Sequence, residues 1–387
     1  MAEPSLARSG APLALLGGRS PAAFLARYWQ RRALLVRGAI SVLDELAAFA
    51  TRDRLFALAR RDDVESRLVT RIGERYTLAQ GPFRRTDLVR LPPRNWTLLV
   101  SGVNLEDHDA DRLLRRFAFL PWARLDDLMV SIAAPGGGVG PHVDSYDVFL
   151  LQAAGRRRWR YGRQRDLALR DNVPIKLLER FTPAHNDTLG PGDLLYLPPE
   201  YAHDGVAVDT CVTCSIGFRA PLFQELAEAF LDDLRDVVAL DGRYADPGLQ
   251  PRSHPGKIDA AMQRQIATAL KRIRIDNGSI ESFLGRWLTE PKPLVRFTAR
   301  PGVLRADFVR HIGRAGVALD RRTQMLYDRT TLYVNGEAMT MPRSDASMLC
   351  RLADRRRLNA RDCQGLAPAT LELLHTWYKH GYLEAPS

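Results

Sequence analysis

The chain has 387 residues, 45% of them hydrophobic and 26% charged, with 28 glycines and 24 prolines. That balance excludes a disordered or collagen-like polymer and leaves room for two or three domains of ordinary size. Lysine and arginine outnumber aspartate and glutamate by 56 to 45, a net charge of +11, which raises the question of a nucleic-acid or membrane partner. The excess is spread evenly, 31 bases to 25 acids in residues 1–220 and 25 to 20 in 221–387, so there is neither a basic tail nor a charge-segregated half.

In chain order, Pro21–Arg37 reads as an amphipathic helix running into a short apolar strand, and helical periodicity returns at Val42–Arg60 and Glu106–Phe117. From Leu128 to Phe218 short β-rich runs alternate with turns. The expected strands are Leu128–Ala133, Val148–Gln152, Arg158–Tyr161, Asp187–Leu189, Leu194–Leu197 and Thr210–Phe218, with turns at Pro135-Gly136-Gly137-Gly138, Ala154-Gly155, Gly190-Pro191-Gly192-Asp193 and Pro198-Pro199. This is the signature of a β-sandwich or barrel. After Pro221 the chain turns helical, at Leu222–Leu240, Ile258–Ile275 and Ile280–Leu288, with a Gly/Pro-rich stretch between Asp241 and Pro255. Glu290-Pro291-Lys292-Pro293 reads as a linker. Beyond it, Asn335-Gly336 between apolar runs predicts a hairpin, flanked by helices at Ser344–Arg357 and Pro368–Lys379, a composition that fits a winged-helix-like unit. The expected domains are 1–220, 221–292 and 293–387.

Four cysteines, Cys211, Cys214, Cys350 and Cys363, are too few for a disulfide framework in so long a chain and point to a reducing compartment. No apolar run approaches the roughly 20 residues of a membrane span, and Met1–Arg19 lacks the pattern of a signal peptide. A cytoplasmic protein without a membrane partner is expected. Cys211 and Cys214 match C-x-x-C, but on a strand their sulfurs face opposite ways and no second pair has zinc spacing, so they read as buried thiols.

In Pro141-His142-Val143-Asp144 the imidazole and carboxylate stand at i and i+2, which on a strand puts both on one face, where they can share a metal. Alone, the pair is equally what a hydrogen-bonded strand offers. His203 follows a turn, the strand Leu194–Leu197 and a second turn, a layout that returns an imidazole to the pair in a double-stranded β-helix. Two histidines and one carboxylate on one face of an octahedral iron leave three positions open. Arg157, fifteen residues after His142, alternates away from Arg156 and Arg158 and can turn a planar guanidinium inward to clamp a dicarboxylate. Gly136–Gly140, just before the pair, permits a close backbone approach to a ligand. Thr213 and Ser215 lie on a strand that can line the same pocket.

Residues 135–162 (PGGGVGPHVDSYDVFLLQAAGRRRWRYG), 191–205 (PGDLLYLPPEYAHDG) and 215–221 (SIGFRAP) resemble the JmjC/cupin-type 2-oxoglutarate oxygenases. More closely, with FLARYWQRRALLVRGA and YADPGLQPRSHPG, they resemble the bacterial ribosomal oxygenases that hydroxylate an arginine of the sixteenth large-subunit ribosomal protein, over most of residues 22–300. The resemblance implies a mixed α and β fold: a double-stranded β-helix, then a helical dimerisation domain, then a C-terminal winged helix. It implies iron ligation by His142, Asp144 and His203, with Fe(II), 2-oxoglutarate and O2 as cofactor and co-substrates and the distal carboxylate of 2-oxoglutarate on Arg157. It further implies a homodimer acting on a basic large-subunit ribosomal protein, in proximity to ribosomal RNA.

An arginine substrate asks for acids near the iron. The window 101–150 carries eight acids against four bases and supplies Glu106, Asp107, Asp109, Asp111, Asp126, Asp127 and Asp147; Tyr146 and Asp147 stand closest to the triad and are the expected substrate contacts. Two other readings stay open: hydroxylation of a histidine in another ribosomal protein, and a nucleic-acid-binding regulator with an inactive barrel. The winged-helix-like unit has no helix dense in Arg, Asn and Gln, which makes DNA binding the less expected role.

Overall fold

The computed structural model describes residues 10–41, 48–251 and 253–384. The start of the helix expected at Val42–Arg60 lies outside the described residues, and its visible part is the helix Arg52–Leu58. Eleven strands build the first half: β1 (Leu34–Val36), β2 (Ser66–Ile72), β3 (Arg75–Gln80), β4 (Trp96–Val100), β5 (Leu125–Ala133), β6 (Val148–Ala154), β7 (Arg157–Arg163), β8 (His185–Leu189), β9 (Leu194–Leu197), β10 (Tyr201–Ala207) and β11 (Cys211–Phe218). They form an eight-stranded sheet, in the order β1-β9-β6-β11-β5-β4-β2-β3, and a three-stranded sheet, β10-β7-β8, with every pairing antiparallel. This is the double-stranded β-helix expected from the motifs.

The strands follow from composition. A strict alternation of apolar and polar residues is absent in β6 and β11 because both faces are covered: Val148–Leu151 and Cys211–Phe218 are buried throughout. The helix Pro21–Arg27 starts where Ser20 accepts a hydrogen bond from the Ala23 N–H and Pro21 takes the first helical position. Its Phe24 then packs into an aromatic cluster with Phe149 and Tyr196 on the outer face of the large sheet, ring centroids 5.6 and 5.0 Å away. The sequence reading placed no strands at β2, β3 or β4, yet they extend the large sheet by three and supply Arg67, Val69, Thr97 and Leu99 to the cavity described below.

Beyond the barrel, the helices Phe223–Val237, Ala260–Leu270 and Asn277–Thr289 follow. The first two bury no residue fully. The last packs on the C-terminal unit, where Gly285 meets the Tyr333 ring and the Thr289 hydroxyl accepts the Gly336 N–H at 3.1 Å. The C-terminal unit adds β12 (Val317–Leu319), β13 (Met325–Tyr327), β14 (Thr331–Val334), β15 (Glu337–Thr340), β16 (Arg357–Leu358) and β17 (Leu383–Glu384) to the helices Arg305–Ala315, Ala346–Arg355 and Pro368–His380. It encloses its own apolar core around Phe308, Leu352 and Trp377. Asn335 and Gly336, with φ of 51° and 88°, make the β14–β15 turn that the dipeptide predicts.

The sequence holds two arginine-rich runs, one from Arg156 to Arg165 and one from Arg351 to Arg361, and neither is a continuous solvent-facing stripe. Arg356 is buried, donates to the carbonyls of Asp320 and Thr323, and stands over the Trp122 ring of the barrel half. Arg351 pairs with Asp362. In the other run Arg156 pairs with Asp209 and Arg160 with Asp204. No helix among the described residues is long and apolar enough to cross a membrane. All four cysteines are free thiols, and burial pushes Cys214 up to about 12.

Candidate metal centre

His203 lies on β10 and His142 on the segment that precedes β6. The two are joined by a reciprocal backbone pair, His142 N–H to His203 O at 3.0 Å and His203 N–H to His142 O at 2.9 Å. This bridge sets the imidazoles 4.2 Å apart, and Asp144 reaches the same point: its carboxylate oxygens lie 4.0 Å from His142 Nε2 and 3.7 Å from His203 Nε2. Ligand atoms of all three residues fall within 4.8 Å of one another.

Each imidazole is oriented by its other nitrogen. His142 Nδ1 faces the Gly140 carbonyl at 2.8 Å and His203 Nδ1 faces the Tyr201 carbonyl at 2.9 Å. A carbonyl only accepts, so Nδ1 carries the proton and Nε2 presents its lone pair to the shared point. Burial, aided by His142 alongside, lowers His203 to about 4, so at neutral pH it is the uncharged imidazole that a metal requires.

The glycine-rich segment approaches neighbouring strands closely. Gly136 and Gly137 exchange backbone hydrogen bonds with Ala207 on β10. A Cβ on Gly137 would meet the Trp96 carbonyl at 2.1 Å, and one on Gly138 the Gly205 carbonyl at 2.5 Å. These close approaches to neighbouring strands lace the His142 segment onto the strand that carries His203.

The cluster opens on a cavity of about 580 Å³ between the two sheets. Alternation along β7 turns Arg157, Trp159 and Tyr161 inward and Arg158 out to solvent. Arg157 is only 5% exposed, its Nη1 is 3.5 Å from the Ser131 hydroxyl, and its Nε and Nη2 have no hydrogen-bond partner among the described residues. A buried guanidinium with two idle donors is costly unless an anion meets it. The opposite wall carries Asp126 and Asp127, with Lys292 bridging them at 3.1 and 3.4 Å. Ser131, Met129 and Asp127 share the cavity face of β5, so the basic and acidic ends stand roughly 13 Å apart along the strand.

Of the expected co-substrate contacts, Ser215 lines the cavity. Thr213 is a correction: it is fully buried and its hydroxyl donates to Gln152 Oε1 at 3.0 Å, so it supports the sheet and is not part of the cavity lining. Tyr146 lines the cavity, its phenol raised by burial and by Asp144 nearby. Asp147 is the second correction. It is completely buried on the opposite side of the strand entry, where it accepts from Tyr196 Oη at 2.6 Å, Gln30 Nε2 at 3.0 Å and Arg124 Nη2 at 3.2 Å. It therefore anchors the N-terminal segment to the barrel and cannot reach a substrate. Of the other acids in the window, Glu106 is held by Arg61 and Arg322, Asp107 caps a helix, Asp109 and Asp111 pair with Arg112 and Arg115, and Asp126 and Asp127 face the cavity together with Asp144 of the cluster. Arg67, Met129, Trp159, Lys176 and Lys292 also line it; the sequence reading assigned none of them.

Two sheets enclosing a His-Asp-His cluster with a buried guanidinium on the wall define an oxygenase of the JmjC class. The JmjC domain family matches residues 112–226 and the ROXA-like winged helix family residues 272–384. The chain is 32% identical over 329 residues to the ribosomal protein uL16 3-hydroxylase of Escherichia coli (strain K12), covering 84% of this chain and 86% of that protein. It is 30% identical over 219 residues to human ribosomal oxygenase 1, which covers 50% of this chain and 32% of that one. An X-ray structure of E. coli YcfD superposes with a TM-score of 0.82 at 29% identity, covering 94% and 97% of the two chains. A structure of YcfD in complex with cobalt and 2-oxoglutarate gives 0.77 at the same identity and the same coverage. The chain belongs to the JmjC-domain ribosomal oxygenases, a family of 2-oxoglutarate-dependent enzymes.

Proposed function

We propose that the protein hydroxylates an arginine side chain of a basic large-subunit ribosomal protein, using Fe(II) held by His142, Asp144 and His203. The observation that carries this reading is one cavity with three kinds of wall: two imidazoles and a carboxylate converging on a point, a buried guanidinium with idle donors, and a pair of carboxylates. The donor set suits iron, because two Nε2 lone pairs and one carboxylate leave half of an octahedron free. Bound there, iron and 2-oxoglutarate together activate O2 to place one oxygen atom in a C–H bond.

The chain's own residues bind, orient and exclude. Arg157 supplies the fork for the distal carboxylate of 2-oxoglutarate, with Ser131 and Ser215 on β5 and β11 of the facing sheet. Gly205 leaves room for the Trp159 ring to lie over β10, since a Cβ there would meet the ring at 2.6 Å; Trp159 thereby covers the inner side of His203 and excludes water. Tyr146 and Met129 flank the route from the triad to Asp126 and Asp127, the acids that suit a guanidinium. The protein's part is to hold one substrate carbon at the metal.

The assay is incubation with Fe(II), 2-oxoglutarate and ribosomal proteins from cells lacking the enzyme. The expected result is a one-oxygen mass gain on a single arginine, absent with His142→Ala. A gain on histidine instead replaces the substrate assignment, and a protein that neither binds metal nor turns over 2-oxoglutarate leaves the regulator reading. The reading also includes cytoplasmic action beside the ribosome, where the diffuse +11 charge favours ribosomal RNA, and a homodimer. Apolar side chains exposed along the helical segment, among them Phe223 (91% exposed), Leu231 and Leu270, support the dimer because they have nothing to cover them within one chain.

A further inference from the structure

The acid end of the cavity already holds a cation from within the chain. Lys292 sits in Glu290-Pro291-Lys292-Pro293, after the helix Asn277–Thr289, and reaches across to the start of β5. Its Nζ lies 3.1 Å from Asp126 Oδ1 and 3.4 Å from Asp127 Oδ2. Asp126 has Arg219 as a second cation, at 3.5 Å; Asp127 otherwise accepts the Gly102 N–H, at 2.9 Å. Prolines on both sides restrict the backbone and so fix where the lysine stem starts. The same ammonium also borders an adjoining groove of about 370 Å³, lined by Glu65, Ser101, Pro293 and Leu294. It therefore stands between that groove and the cavity of the triad.

We propose that Lys292 is a specificity-determining residue: a tethered cation that occupies the acid end of the cavity until a positively charged substrate side chain displaces it. The inference rests on the reading of this cavity as the site of an arginine hydroxylase. Burial drives the Asp127 carboxyl up, and the Lys292 charge opposes that rise. A neutral side chain that pushed the lysine aside would leave buried carboxylates uncompensated, whereas a guanidinium exchanges one positive charge for another. The exchange has a path, because the Lys292 side chain is 40% exposed and can swing into solvent with its backbone unmoved.

The test uses the full chain. In Lys292→Met, KM for a peptide carrying the target arginine is expected to fall about two- to fivefold, the worth of a partly exposed ion pair, with a smaller change in kcat; Lys292→Arg, which keeps a cation on the acids, is expected to hold KM at or above the wild-type value. A higher KM in Lys292→Met overturns the proposal and makes the lysine a support for the acids. A second readout is independent of turnover. The two carboxylates raise the proton affinity of Lys292, so acetic anhydride should label it slowly in wild-type protein and faster once agmatine, an alkylguanidinium, is added, while exposed Lys271 labels at a constant rate. Unchanged labelling at saturating agmatine overturns the displacement. If wild-type enzyme modifies no arginine, the substrate reading fails on its own, and the labelling still reports whether a guanidinium takes the lysine's place.

Discussion

Arg157 destabilises a protein that has no anion beside it, because two of its N–H groups are buried without partners. That penalty implies a ligand, and it separates the ligand-free from the ligand-bound state. Arg157→Ala should raise KM for 2-oxoglutarate about ten- to hundredfold, the worth of hydrogen bonds to a charged group, while the melting temperature of the ligand-free protein holds or rises; a fall in stability with no change in KM would make it a structural arginine. Asp147 is the opposite case. Asp147→Ala strips Tyr196, Gln30 and Arg124 of a shared acceptor and should cost about 3–5 kcal/mol in a denaturant titration, leaving the substrate KM of the folded fraction unchanged. The metal cluster was legible in the sequence from three signals together: the i and i+2 spacing of His142 and Asp144, the turn-strand-turn return to His203, and the resemblance carried by the flanking motifs. Asp147 was misread because proximity in sequence does not say which side a residue faces at a strand entry, and there the buried Tyr196 hydroxyl decides it. Lys292 gave no signal, since its partners lie more than 160 positions away (292 − 127 = 165).

At the scale of elements, the strands around the triad were readable from alternation and glycine-proline punctuation, and the helices beyond Pro221 from their 3.6-residue periodicity. Of the missed β2, β3 and β4, the first two mix polar with apolar residues on each face, as with Arg67 beside Val69 and Thr70 beside Leu68, so their pattern lacks the apolar contrast that marks a half-buried strand. All three are strands because β5 offers an edge to pair with, a tertiary reason that local pattern does not contain. The Gly136–Gly140 segment shows the same limit: its composition announced a close approach, and only the fold says to what. Gly138→Ala should therefore push this segment away from Gly205 and weaken metal binding at least tenfold in a titration, about a 1.4 kcal/mol effect, with the far-UV spectrum retained. Unchanged affinity would mean that the lacing to β10 does not position His142.

For the whole molecule, charge is the feature whose meaning shifts most. A net +11 suggests nucleic acid, yet the cavity places Asp126 and Asp127 at one end, and within the two basic runs Arg156, Arg160, Arg351 and Arg356 are engaged in pairs and clamps. The winged-helix unit is joined to the barrel half by Trp122 Nε1 donating to the Asp354 carbonyl at 3.0 Å and by Arg322 with Glu106 at 3.2 Å, and its buried Arg356 is committed to that junction. The helical segment instead exposes oil. Phe223→Asp with Leu231→Asp should halve the mass seen in sedimentation without lowering the melting temperature of the barrel. A wild-type protein that already sediments as a monomer would refute the dimer.

The reciprocal backbone pair between His142 and His203 also has a kinetic meaning. Each amide is protected by the other residue's carbonyl, so neither proton can exchange with solvent unless the bridge opens for both. In deuterium exchange, peptides spanning the two histidines should slow together when Fe(II) or a substitute ion is added and quicken together on chelation. Two peptides responding separately would show that the bridge opens without disturbing the ligands.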